Sequence, residues 1–225
     1  MKTSSLITIT VFALMLGEAR AADNELTAAE KKDGWTLLFD GKSLDGWDGD
    51  PNIWRVENGC LSGKAEKVAH NTFLIYKDKF SDFILQADCM LLKGKGFTNS
   101  GIQYRSRVIN KKEWIVGGYQ ADIGEGWWGA NYEEQGRGIL WKPTDAATKA
   151  VQADGWNHFE ISAIGTKVKE TLNGVVSGEL DDQDPKARKS GILALQYHAP
   201  GQNFEIRFKN LKLKNLAPPE PAEAK

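Results

Sequence analysis

Two alternating runs decide the fold of this chain: NSGIQYR at residues 99–105 and GYQADI at residues 118–123. Successive side chains of a β-strand point to opposite faces, so each run has one apolar face and one polar face. The polar faces carry Gln103, Arg105, Gln120 and Asp122. If the two strands are neighbours, these groups gather on one surface, as in a sugar-binding site. The alternative is a solvated sheet face on which the Arg and the Asp form only a cross-strand ion pair.

A third run, GILALQYH at residues 191–198, alternates in the same way. It places Gln196 and His198 on the face opposite Leu193, Leu195 and Tyr197. A single His is more often a structural residue than a catalyst, but a third strand with a polar pair strengthens the site interpretation. We therefore predict that three strands share one polar concave face, built from Gln103, Arg105, Gln120, Asp122, Gln196 and His198.

Short strands separated by turn residues fill the rest of the chain. Asn58-Gly59 and Asn173-Gly174 are tight-hairpin signals, and Asp40-Gly41 marks a turn. In the last strand the apolar face switches near Lys209-Asn210, which predicts a β-bulge. Helical periodicity is almost absent. The pattern predicts an all-β protein, a β-sandwich of the jelly-roll type.

The two ends of the chain differ from this pattern. Residues 1–21 combine a basic start, a short apolar run and an Ala-Arg-Ala ending, which is typical of a cleavable secretory signal. We expect an N-terminal arm over residues 22–33, one jelly-roll domain over residues 34–216 and a disordered tail rich in Pro, Glu and Ala over residues 217–225. The protein is then secreted or periplasmic.

Composition excludes some classes of partner and leaves others open. The formal net charge is −1, and no basic excess supports a nucleic-acid surface. No later run is long and apolar enough for a membrane helix.

Cys60 and Cys89 either pair as one disulfide or stay buried as thiols. No cofactor is evident. Asp122, His198 and Glu134 leave a divalent metal open, although no ligand spacing indicates one. The oligomeric state is not readable.

A long loop rich in Gly, Trp and Glu follows the second run, over residues 125–141. Long loops often carry function because a scaffold positions them without needing them for its packing. We interpret Trp127, Trp128 and Tyr132 as an apolar platform for a sugar ring. Glu134 is either a further carboxylate of the site or, together with Glu133 and Arg137, a residue that solvates the loop; the second interpretation is favoured.

Several motifs in a fixed order resemble the 3-keto-disaccharide hydrolase domain family. They are LFDGKSLDGW at 38–47, NSGIQYR, GYQAD at 118–122, WN at 156–157, LNG at 172–174, LQYH at 195–198 and FKNL at 208–211. The resemblance covers nearly the whole chain after the signal, and it implies a concanavalin A-like jelly roll with a carbohydrate site on the concave sheet. One departure stands out, because Gly118 occupies the position where many members have a Glu. Glu134 is a candidate to supply that carboxylate.

The resemblance implies a specific chemistry. A ketone at C3 of a sugar acidifies the C2 hydrogen, so a base can remove it, the group at C1 can leave, and water can add back. An ordinary glycosidase needs two carboxylates at a defined separation, whereas only one inward carboxylate is evident here. On this interpretation Asp122 or His198 is the general acid and base, and Arg105 with Gln120 holds the ketone or enolate. The remaining substrate-binding candidates are Asn99, Gln103, Gln196, Trp127, Trp128, Tyr132 and Glu134.

Two further classes of function stay open. The chain is alternatively a non-catalytic carbohydrate-binding module on the same fold, or a structural interaction domain. The missing Glu favours binding, and the retained Asp and His favour catalysis. A small carbohydrate is the expected ligand in the first two cases.

Overall fold

The computed structural model describes residues 21–94, 96–200 and 203–217, and within them the chain forms fifteen strands and two short helices. In chain order they are α1 (Ala28–Lys32), β1 (Trp35–Leu37), β2 (Trp47–Asp48), β3 (Trp54–Glu57), β4 (Cys60–Lys64), β5 (Thr72–Phe80), β6 (Phe83–Leu92), β7 (Asn99–Asn110), β8 (Ile115–Gly124), β9 (Asn131–Glu134), β10 (Gly138–Trp141), α2 (Asp145–Ala150), β11 (Asn157–Ile164), β12 (Lys167–Leu172), β13 (Val175–Asp181), β14 (Gly191–Tyr197) and β15 (Glu205–Asn215).

The strands form two antiparallel sheets. The back sheet has the order β13-β12-β11-β6-β15-β4-β3, with β1 also paired to β15. The front sheet has the order β10-β9-β8-β7-β14-β5-β2. This arrangement confirms the predicted all-β jelly-roll sandwich. The central pair of the sequence prediction, β7 and β8, forms neighbouring strands of the front sheet in antiparallel register.

The hydrophobic core lies between the two sheets. Alternate residues of each strand point inward, and they are almost completely buried, as for Leu85 and Cys89 from the back sheet and Tyr104, Tyr119 and Ala121 from the front sheet. Burying one large apolar side chain contributes about 1.5–3 kcal/mol, which fixes the register of both strands. The other residues of β7 and β8 must then lie on the outer face of the front sheet.

The predicted β-bulge in the last strand is present. The pairing of β15 with β6 shifts between Lys209 and Lys212, where the apolar face changes sides. The open question about the cysteines is also answered, because Cys60 and Cys89 are both free and buried.

The N-terminal arm packs against β15 of the back sheet. Thr27 and Glu30 form a capping box at the start of α1. Ion pairs then join Glu30 to Lys212 and Asp33 to Lys214. The predicted signal, apart from Ala21, and the predicted tail beyond residue 217 lie outside the described residues. In the described part of the chain, no helix has the length and apolar character needed to cross a bilayer.

A second, smaller apolar cluster lies on the outer face of the front sheet. It contains Phe73, Ile75, Val116, Ile192 and Ala194, with Trp114 packed against it. The tip of the β7–β8 hairpin folds back over this face, and the backbone N–H of Phe73 donates to the carbonyl of Trp114 at 3.0 Å. The hairpin therefore covers part of the face on which the polar residues of β7 and β8 lie.

Candidate functional site

A chain of hydrogen bonds crosses the outer face of the front sheet and ends at a carboxyl group. The hydroxyl of Ser106 donates to Gln103 at 2.6 Å, and the Nε2 of Gln103 donates to the Oε1 of Gln120 at 2.8 Å. The Nε2 of Gln120 donates to Asp122 at 2.6 Å and lies 3.4 Å from the Oε1 of Gln196. All five residues are at most 4% exposed. The hydrogen bonds fix the side chains of Gln103 and Gln120, and the amide of Gln120 points at Asp122.

The register of β7 and β8 explains this arrangement. Gln103 lies opposite Gln120, and Gly101 lies opposite Asp122. A Cβ atom at Gly101 would lie 2.5 Å from side-chain carbons of Gln120, so the glycine leaves the space that the Gln120 side chain occupies. The local sequence therefore positions the amide that holds Asp122.

A second carboxyl group approaches from β9. Glu134 lies directly opposite Gly118 in the β8–β9 pair and is 9% exposed. The Nδ2 of Asn71 donates to its Oε1 at 3.3 Å. Its position on a buried strand shows that the loop-solvation interpretation of Glu134 is wrong. At Gly118 a Cβ would lie 2.4 Å from the hydroxyl of Ser106, so this backbone leaves no room for a side chain.

The electrostatic environment tunes Asp122. Burial raises its pKa from 3.8 to about 7, the hydrogen bond from Gln120 opposes this change, and the nearby charge of Glu134 raises the pKa further. Burial also raises the pKa of Glu134. A carboxyl group that titrates near neutral pH can both accept and return a proton, which is the property of a general acid and base.

The end of β14 adds two buried polar atoms that lack protein partners. Among the described residues, the Nε2 of Gln196 and the Nδ1 of His198 are buried and have no hydrogen-bond partner. Burial lowers the pKa of His198, so its ring is mostly neutral at neutral pH. The ring packs edge-on against Phe97 at 5.3 Å between centroids. Leaving a buried polar group unpaired costs about 1–3 kcal/mol, so these atoms indicate a ligand that would form the missing hydrogen bonds.

Asn71 links the two parts of the site. Its Oδ1 accepts from the backbone N–H of Ala199 at 2.9 Å, next to His198, and its Nδ2 contacts Glu134. Sequence reasoning missed Asn71 because it precedes β5, in a stretch without alternation. Of the remaining candidates, Asn99 is 4% exposed and lies opposite Gly124 on the same face as Gln103.

Arg105 does not join the site, so its predicted placement is wrong. Its backbone has a φ of +46°, and the β7–β8 register shifts between Tyr104 and Arg107. The bulge turns the guanidinium away, where it donates to the carbonyls of Ser81 and Gly165 and to Asp82 at 2.8, 2.9 and 3.0 Å. Regular alternation does not hold across a bulge.

The predicted aromatic platform is also wrong in one residue. Trp128 is 8% exposed and stacks on Phe159 at 6.3 Å between centroids, inside the hydrophobic core. Trp127 is half-buried in the turn after β8. Tyr132 is half-buried and lies opposite Gln120, on the face of the site.

Glu133 and Arg137 form a buried ionic network at the edge of the front sheet. Arg137 pairs with Glu133, and its Nη2 lies 2.6 Å from Asp182, which accepts from the hydroxyl of Tyr119 at 2.5 Å. The network fixes the β9–β10 turn next to Glu134. It does not solvate a loop, as the sequence interpretation held.

A third acid lies behind the site, between the sheets. Glu170 accepts from the Nδ2 of Asn131 at 2.6 Å and from the hydroxyl of Tyr104 at 3.2 Å. Burial raises its pKa to about 8, and the charge of Asp122 adds to this effect. Residues 21–94, 96–200 and 203–217 contain no group of three His, Cys, Asp or Glu side chains placed to hold an ion.

The sequence of residues 34–214 matches the model of the 3-keto-alpha-glucoside-1,2-lyase-like domain. This chain belongs to that family. The match confirms the resemblance that the sequence motifs indicate.

One protein resembles this chain in sequence, and two solved structures resemble it in fold. A 3-keto-disaccharide hydrolase of Bacteroides thetaiotaomicron is 34% identical over 91 residues, which span 36% of this chain and 30% of that protein. A candidate glycosyl hydrolase of Parabacteroides distasonis has a TM-score of 0.64 at 23% identity, covering 87% of this chain and 100% of that one. The carbohydrate-binding module CBM66 of Bacillus subtilis has a TM-score of 0.58 at 16% identity, covering 74% and 94%. The two structures show a shared fold.

Proposed function

We propose that this chain is an exported enzyme that cleaves the glycosidic bond of 3-keto-glycosides by elimination and hydration. One observation carries the proposal. Asp122 is a buried carboxyl group with a pKa of about 7, held by Gln120 and placed near Glu134 and the unpartnered Nε2 of Gln196. These are a base and a hydrogen-bond donor on one face, which is what removal of a proton next to a ketone requires.

The first step forms an enolate. The ionised carboxylate of Asp122 takes the hydrogen from C2, and the electron pair moves toward the oxygen at C3. The Nε2 of Gln196, which is buried without a partner, donates to that oxygen, and the neutral ring of His198 lines the same end of the site. Donors aimed at developing charge typically contribute about 10²–10³-fold. Gln196 therefore takes the role that the sequence assigned to Arg105.

The second step breaks the bond at C1. The enolate expels the leaving oxygen, which receives the proton from Asp122, and a C1–C2 double bond next to the ketone remains. Water then adds at C1, a proton returns to C2, and the net reaction is hydrolysis. Because one group both accepts and donates the proton, a pKa near 7 suits both steps. Burial keeps that pKa high, and the nearby Glu134 raises it further.

The decisive experiment compares two substrates and three proteins. We expect the wild type to release the aglycone from a 3-keto-glucoside and not from the same glucoside with a C3 hydroxyl. Asp122→Asn is expected to lower turnover by about 10²–10⁴-fold, whereas Asp154→Asn, an exposed Asp outside the site, keeps wild-type turnover. Full turnover by Asp122→Asn would refute the role of the base.

Gln196→Ala tests the donor separately. This substitution removes the amide donor and does not change the charge of the site. We expect about 10²-fold slower turnover with the same pH dependence. The pH–rate profile provides the check, because a variant that changes the pKa of Asp122 instead would move the profile. An unchanged rate would show that the enolate is held by another group.

A second candidate function is a carbohydrate-binding module. The fold that this chain shares with a carbohydrate-binding module supports it. Binding of a 3-keto-glucoside without release of the aglycone supports this candidate.

Export is tested by sequencing the N-terminus of the protein recovered from the producing cells. We expect this mature protein to begin after Ala21 or Ala22.

A further inference from the structure

Trp114 is held in an unusual position at the tip of the β7–β8 hairpin. Its backbone has a φ of +47°, a left-handed conformation that bulky residues rarely adopt. The indole Nε1 donates to Asp48 at 3.0 Å, and the carbonyl accepts from the N–H of Phe73. Both the backbone and the side chain are therefore fixed. Strained backbone that the surrounding structure maintains in this way is a frequent mark of a ligand site.

A cavity of about 610 Å³ lies beside the indole. Its lining mixes donors and acceptors of both charges around one aromatic ring, including Asp50, Asn52, Lys67, His70, Lys112 and Trp114. The volume falls within the range of about 300–1,000 Å³ that is usual for small-ligand sites. A pyranose ring has an apolar face and a rim of hydroxyl groups, so an aromatic ring surrounded by hydrogen-bonding side chains matches its chemistry.

The cavity borders the candidate site. His70 and Thr72 line the cavity, and Asn71 between them contacts Glu134. The indole also packs against the apolar cluster that contains Ala194, and Ala194 is the register partner of Gln103. Trp114 thus covers the same sheet face that carries Asp122.

We infer that the Trp114 cavity is a second sugar subsite, which holds the pyranose on the leaving-group side of the scissile bond. The inference rests on the proposed function, because the 3-keto ring must place its C2 hydrogen at Asp122 and the neighbouring sugar must then extend beyond Asn71. Trp114 takes the role of aromatic platform that the sequence assigned to Trp127, Trp128 and Tyr132. The enzyme then prefers disaccharides to simple alkyl glycosides.

Substrate length provides the test. Trp114→Ala is expected to lower kcat/KM for a 3-keto-disaccharide by roughly 10- to 100-fold and to leave kcat/KM for the methyl 3-keto-glucoside unchanged. Trp114→Phe should retain most of the preference for the disaccharide, and Trp35→Ala, a change on the back sheet, should change neither value. An equal loss on both substrates, or no loss on the disaccharide, would overturn the inference.

A surface variant and a binding measurement keep the test independent of folding and of catalysis. His70 is exposed, so His70→Ala leaves the packing intact and should lower kcat/KM for the disaccharide alone by roughly 3- to 10-fold. Isothermal titration with an unoxidised disaccharide should show binding to the wild type that Trp114→Phe retains and His70→Ala weakens. If the wild type turns over no 3-keto-glycoside, the proposed function fails, and this titration still decides the subsite: binding that neither Trp114→Ala nor His70→Ala weakens would refute it.

Discussion

Asp122→Asn should make the protein more stable while removing its activity. The pKa of Asp122 is raised from 3.8 to about 7, so the folded state opposes ionisation of this buried group. Because the folded pKa lies above the unfolded one, the contribution of Asp122 to stability is fully present below about pH 4 and is lost as the pH rises through 7. The loss amounts to roughly 4 kcal/mol at pH 8 and to less than about 1 kcal/mol at pH 4. Asn keeps an oxygen that accepts from Gln120, and it carries no ionisable proton.

Urea denaturation at pH 4, 6 and 8 measures this effect. We expect the free energy of unfolding of Asp122→Asn to exceed that of the wild type by a difference that grows with pH, up to roughly 4 kcal/mol. Asp154→Asn, at an exposed position, should follow the wild type at every pH. A variant that is no more stable than the wild type at pH 8, or a difference that does not depend on pH, would refute the assignment of a raised pKa to Asp122.

Three further perturbations test the surroundings of the site. Glu170→Gln removes a buried acid whose pKa is raised to about 8. In urea denaturation we expect this variant to be more stable than the wild type by several kcal/mol at pH 9 and by about 1 kcal/mol at pH 5. A difference that does not depend on pH would contradict this. Gly101→Ala places a Cβ where the Gln120 side chain lies. Turnover of the 3-keto-glucoside should then fall by about 10²-fold with little change in circular dichroism. Unchanged turnover would show that Gln120 does not position Asp122. Arg105→Ala should destabilise the fold by roughly 2–4 kcal/mol, since it removes the ion pair with the partly buried Asp82 and the donors to two carbonyls. The folded fraction should keep normal kcat, and a selective loss of kcat would restore Arg105 to the site.

Regular alternation predicts both the fold and the part of the site that lies on uninterrupted strands. Tyr104 and Ala121 face the core, so Gln103 and Gln120 must face outward, and a hydrophobic pattern with period two is sufficient to establish this. The Asn-Gly turns supply the hairpins. Gln196 follows from the same pattern on β14.

The remaining site residues depend on features that leave no periodic signal. One extra residue in a bulge reverses the direction of every following side chain, and nothing in the sequence around Arg105 indicates the bulge. Glu134 and Trp128 lie in a stretch that reads as a loop because its strands are only four residues long. Asn71 contacts Glu134 from the segment before β5, and Trp114 is placed by the fold-back of the β7–β8 hairpin. Both placements are properties of tertiary structure.

The release of aglycone from a 3-keto-glucoside tests the central claim most directly. The wild type and Asp122→Asn are incubated with this compound and with its unoxidised twin, and the free aglycone is measured over time. We expect release from the oxidised compound by the wild type alone. Equal release from both compounds, or release by Asp122→Asn at the wild-type rate, would contradict it.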